Sequence, residues 1–163
     1  MGCDIHSFVE RRRGGNWEHV EADMGRPRYE NCPFGWRNYG VFGFLADVRN
    51  YSMVPPITER RGLPDDLSSG VREGLGEWLD FHSASWLTVA ELLAVDYDAE
   101  FENRRIARRM PGGWIDGGVT AEPGGGNRTT LREFLGRMFF DDLERLRAIG
   151  DPQNTRVVFW FDN

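Results

Sequence analysis

The last stretch of the chain, Thr155-Arg-Val-Val-Phe-Trp-Phe161, constrains the fold more than any other. It is a continuous apolar run, too short for the ~18 residues of a membrane span. A run of this length suits a strand buried on both faces, so the rest of the chain must cover it twice. The other terminus offers a partner. From Cys3 to Arg12 the residues alternate, placing Ile5, Ser7 and Val9 on one face and Asp4, His6, Phe8 and Glu10 on the other. Gly14-Gly15 supplies the positive-φ positions of a two-residue hairpin, and Trp17 to Ala22 returns as a second strand. That register sets Val9 against Val20, Glu10 against His19 and His6 against Asp23. Placing the terminal strands side by side brings Asp162 toward Asp4 and His6.

Helical signals lie between the two ends. Asn38 is positioned to cap a helix carrying Val41, Phe42, Leu45 and Val48, weakened by Gly40 and Gly43. A second helix is expected from Val71 through Trp78 and Leu79. Thr88 with Glu91 forms a capping box for a short helix over residues 89–95. Thr130 with Glu133 forms another for a helix over 131–149, striped by Leu131, Leu135, Met138, Phe139, Leu146 and Ile149. Residues 99–109 read as a weak extension of helix, with Glu100 and Arg104 at i,i+4. The glycine-rich stretch 110–128 reads as a flexible surface excursion. The expected architecture over residues 1–163 is one α+β domain, an antiparallel sheet of the N-terminal hairpin and the C-terminal strand packed against helices.

Charge and cysteine content narrow the function. The net charge of −6 argues against gripping duplex DNA through the overall field. Every basic residue is Arg, and clusters such as Arg104, Arg105, Arg108 and Arg109 read first as solvated faces. Two cysteines make no disulfide framework, and there is no apolar signal segment or membrane run, so a reducing cytoplasm is expected.

Several blocks carry a resemblance: Met1-Gly-Cys-Asp-Ile-His6, Arg37-Asn38, Ala46 to Asn50, Arg61 to Asp65, His82-Ser83 with Leu87-Thr88, and Val157 to Asn163. Together they resemble a group of small uncharacterised bacteriophage and prophage proteins that open with MGCDIH. The resemblance implies a phage setting, hence the host cytoplasm, and carries no activity, fold or cofactor. In that group the segment near His82 commonly reads His-Ser-His-Ser, whereas Ala84 stands here in place of the second histidine.

Asp4 and His6, two apart on a strand, have Cα atoms roughly 6 to 7 Å apart on one face. With His82 as third ligand they could hold a divalent metal such as Zn²⁺, Mn²⁺ or Mg²⁺ and generate hydroxide for attack on a phosphodiester or nucleotide. A hydrogen-bonded Asp-His pair securing the hairpin is the alternative. His82, expected on a loop beside Ser83 and Ser85, is the candidate general acid or base, or else a loop histidine tying backbone groups together. Arg37, Asn38, Arg49, Asn50 and Arg61 stand beside turns or helix ends and could grip a phosphate and a base or sugar edge, though Arg–carboxylate pairing is the commoner fate. Two readings follow: a metal-assisted phosphodiester or nucleotide hydrolase, or a non-catalytic binder that sequesters a nucleotide signal or a host defence protein.

Overall fold

In the computed structural model, which describes residues 2–76 and 80–163, the chain is α+β. Its elements are β1 (Asp4–Arg13), β2 (Asn16–Val20), α1 (Tyr39–Ala46), α2 (Ser69–Leu75), β3 (His82–Thr88), α3 (Val89–Leu93), β4 (Glu100–Asn103), β5 (Arg105–Arg109), β6 (Ile115–Thr120), β7 (Asn127–Thr130), α4 (Leu131–Arg147) and β8 (Thr155–Asp162). They form two compact units, one of residues 1–37, 59–95 and 137–163, the other of 38–58 and 96–136.

The first unit is built on a four-stranded antiparallel sheet in the order β2-β1-β8-β3. Gly14 and Gly15, at φ 54° and 87°, make the hairpin turn, and Val9 pairs with Val20 and Glu10 with His19 as the spacing predicts. β2 ends at Val20, so His6 finds no strand partner at Asp23. The apolar C-terminal run is the inner strand β8, and Thr155 to Phe161 are all buried. One of its faces carries Val158 and Trp160, packed with Leu67 and Val71, and Phe8 stacks on Trp160 at 5.1 Å. The other face is covered by the second half of α4 and by the loop before α1. Ser7 donates to Pro33 O, Phe34 stacks on Phe139 at 4.9 Å, and Arg11 Nη1 donates to Ile149 O at 3.2 Å.

Two expectations for this unit need revision. His82 lies at the start of edge strand β3 rather than on a loop, because its segment pairs with β8 from His82–Phe161 to Thr88–Arg156. α4 is broken at Gly136, whose φ 75° and ψ 172° only glycine adopts readily, and Met138 of the expected stripe is 43% exposed. The part of the second helix expected over Trp78 and Leu79 lies outside the described residues.

In the second unit, α1 is apolar all round and is buried from Gly40 to Ala46. Asn38 Oδ1 caps it by accepting from Gly40 N and Val41 N, and Asp47 ends it in the left-handed region. The stretch expected to extend helix over 99–109 is extended instead, since Glu100–Asn103 pairs with β7 and Arg105–Arg109 with β6. The glycine-rich stretch is likewise not all excursion, for it supplies β6 and the first residues of β7. Phe101 meets Phe134 edge to face at 4.9 Å within this unit.

Candidate functional site

The antiparallel β1–β8 ladder sets Asp4 opposite Asp162 and His6 opposite Trp160. His6 Nε2 lies 3.0 Å from Asp162 Oδ2, as the side-by-side placement of the terminal strands implies. An ionised carboxylate only accepts, so Nε2 carries the shared proton. Asp4 is held by Arg37 through a two-pronged contact, Nε to Oδ1 at 2.8 Å and Nη2 to Oδ2 at 2.6 Å. That hydrogen bond keeps the Asp4 carboxyl below the usual carboxylate range.

His82 stands apart from this pair. It is the partner of Phe161 and lies against that ring, whereas His6 is the partner of Trp160. Cross-strand partners share a face and consecutive strand residues do not, so the two imidazoles occupy opposite faces of the sheet. The set Asp4, His6 and His82 is therefore not brought together around one ion. Among the described residues no group of three His, Cys, Asp or Glu is arranged to hold a metal. His82 Nδ1 instead lies 2.9 Å from Ser83 Oγ, which also accepts from Arg60 Nη1 at 2.8 Å.

The polar residues singled out for phosphate and base recognition each have local structural work. Arg37 holds Asp4 and Asn38 caps α1. Asn50 clamps its own turn, Nδ2 donating to Asp47 Oδ1 and Val54 O while Oδ1 accepts from Val54 N. Arg49 donates to Tyr51 Oη at 3.5 Å. Arg61 grips Glu91 at 2.5 and 3.0 Å and lies 4.7 Å from the Trp86 ring centre.

Glu91 also completes the expected capping box with Thr88, and the Arg61 contact is the main reason its carboxyl falls from the ordinary 4.5 to about 2. A depressed carboxylate contributes stability that is present above its unfolded value and is lost as pH falls through the folded one. Wild type should therefore lose this contribution between about pH 4.5 and about pH 2. Glu91→Gln, which keeps a cap acceptor but no charge, should lack that component. Because the pair is partly exposed, the difference is on the order of 1 kcal/mol or less. Urea titrations of both proteins across this pH range measure it.

A second feature of this unit had only an indirect sequence signal, the unusual length of the loop 23–38. The loop is built around buried Asp142, which accepts from Arg26 Nη1 and Nη2 at 2.6 and 2.8 Å and from Phe34 N at 2.7 Å. Asn31 Oδ1 accepts from Met24 N, and Arg26 closes further bonds to Glu30 O and Cys32 O. Between this loop and the hairpin lies a cleft of about 860 Å³, walled by Phe8, Val9, Val20 and Pro33 and edged by His6, His19 and Arg28. The His19 ring stands edge-on to Phe8 at 5.7 Å. Arg28 is exposed and makes no ion pair among the described residues. A smaller cleft of about 490 Å³ shares His6 and adds Asp4, Arg37, Asp162 and the exposed Tyr29.

No family model, curated protein or solved structure matches the chain. Among the described residues, no helix is long and apolar enough to cross a membrane.

Proposed function

We propose that the protein binds, without turning over, a small ligand that joins an aromatic ring to an anionic group, with a nucleotide as the ligand class. The observation that carries this reading is the 860 Å³ cleft in which Arg28, without an ion pair among the described residues, shares the walls with Phe8, His19 and His6. Its volume falls within the range of small-molecule sites. The Phe8 ring, with the His19 ring edge-on to it, offers an aromatic face for a base. Arg28 offers a planar fork for phosphate, and His6, held by Asp162, stands at the edge of the cleft. The separation of His82 from Asp4 and His6 favours this binder over the metal-assisted hydrolase, which needs converging ligands. In the phage setting that the resemblance implies, such a binder would sequester a host nucleotide signal.

Thermal-shift measurements with linear and cyclic nucleotides, inorganic phosphate and free nucleosides test the reading. A nucleotide at 100 times its dissociation constant should stabilise the protein by about 2.7 kcal/mol. Arg28→Ala should weaken nucleotides while leaving the response to nucleosides nearly unchanged, and the nucleotide should be recovered intact. Absence of any nucleotide response, or an equal response from Arg28→Ala, overturns the proposal. Stoichiometric metal in elemental analysis together with hydrolysed nucleotide would favour the hydrolase instead.

A further inference from the structure

In the β5–β6 ribbon of the second unit, β6 is partly covered and β5 is bare. Every residue of β5 is exposed. At the connecting turn, Met110 N donates to Trp114 O at 2.9 Å and Gly113 N to Met110 O at 3.0 Å, with Gly112 and Gly113 in the left-handed region. This turn displays Trp114 at 58% and Ile115 at 62% exposure. An isolated two-stranded ribbon is at best marginally stable, and large apolar side chains left in water contribute nothing to holding it. Folding alone therefore does not account for a tryptophan at this position.

Charge indicates what does. From Arg104 to Thr120 the ribbon carries four arginines against one aspartate, in a chain whose net charge is −6. The lone aspartate does not neutralise them. Asp116 is the cross-strand partner of Arg108, yet its Oδ1 accepts from Gly118 N at 2.8 Å, and neither Arg108 nor Arg109 makes an ion pair among the described residues. Arg105 is held nearer the base of the ribbon, donating to Gly117 O with its guanidinium 5.9 Å from the Tyr51 ring centre.

We propose that this ribbon is a docking arm for single-stranded nucleic acid, with Arg108 and Arg109 on backbone phosphates and Trp114 stacked on a base. Guanidinium forks match phosphate oxygens, and an exposed indole offers a platform to a base face. A duplex hides its base faces within the stack, and the overall negative charge opposes the broad electrostatic grip that duplex binding requires. The single strand is the form that can use both the arginines and the tryptophan.

Fluorescence anisotropy of the full chain with labelled dT and rU dodecamers at low salt tests this. Parallel titrations use a duplex of equal length and vesicles of neutral lipid with and without phosphatidylserine. The single strands should bind more tightly than the duplex, and Trp114→Ala should weaken them by at least about tenfold. The Arg108→Ala/Arg109→Ala double variant should flatten the slope of log affinity against log salt by about 1.4, two phosphate contacts at about 0.7 each. Both variants change exposed side chains, and circular dichroism should show that each keeps the wild-type fold. No binding to either dodecamer, wild-type affinity and salt slope in the double variant, or a preference for duplex or for anionic vesicles overturns the proposal.

Discussion

Glu10→Ala is expected to destabilise the protein by about 3 to 5 kcal/mol, because it leaves an arginine charge buried with much of its compensation gone. Glu10 is fully buried and Arg156 is 2% exposed. Arg156 Nε donates to Glu10 Oε2 at 2.6 Å, while the other Glu10 oxygen accepts from Ser68 N at 2.7 Å. The same guanidinium reaches Asp66 Oδ1 at 2.8 Å and lies 4.0 Å from the Trp17 ring centre and 5.5 Å from that of Trp86. Truncation at position 10 removes the buried partner and orphans the Ser68 amide, which neighbours the start of α2. Asp66, more exposed, remains as partial compensation. The double variant Glu10→Leu/Arg156→Met removes both buried charges at once and should recover much of the loss, since desolvating an ion pair costs as much as or more than its attraction returns. Urea midpoints at an unchanged slope measure both. A loss below about 1 kcal/mol for Glu10→Ala would show that the cluster is not held as a buried charge network.

This cluster also shows where sequence reading stops. Glu10 opposite His19 is recovered by alternation and by the fixed length of the Gly14-Gly15 turn. Alternation suggests an exposed cross-strand pair, yet Glu10 is buried, because residues distant in sequence, Asp66, Ser68 and Arg156, close over it. The terminal strands were legible for a related reason. A doubly buried strand must have neighbours, and the alternating N-terminus is suited to be one, so side-by-side terminal strands were a natural expectation, and His6 does meet Asp162. β5 and β6 were not legible, since a ribbon with one strand fully exposed and the other only partly covered needs no apolar period, and its glycines resemble a loop. The α4 stripe runs through Gly136 without interruption, and a break set by one residue's positive φ leaves no trace in periodicity. For the site, residue type was a poor guide to freedom. Arg37 and Arg61 look like Arg28 in sequence, and only the placement of Asp4 and Glu91 decides which arginines are engaged.

Phe139→Ala should cost about 3 to 5 kcal/mol, whereas Asp4→Asn and His6→Ala should each cost about 1 kcal/mol or less. Phe139 is fully buried, stacked on Phe34 at 4.9 Å and edge-on to Phe140 at 5.3 Å. Phe34 has little freedom to fill the space, because its φ of 59° and the hydrogen bond its N–H donates to Asp142 Oδ2 fix its backbone. The void would lie beneath the loop that forms one wall of the cleft, so Phe139→Ala should also weaken nucleotide binding through misplacement of that wall. Asp4 and Arg37 are both about half exposed, and His6 faces Asp162 at the rim of both clefts. Water can replace those partners when either polar residue is changed. Thermal denaturation of the three variants, run with and without nucleotide, separates scaffold from site. His6→Ala should keep its melting temperature and lose part of the nucleotide response, Asp4→Asn should keep most of both, and Phe139→Ala should lose both. Asp4→Asn and His6→Ala proteins as unstable as Phe139→Ala would make these polar pairs structural clasps of the β1–β8 ladder, and a full nucleotide response in His6→Ala would remove His6 from the binding wall.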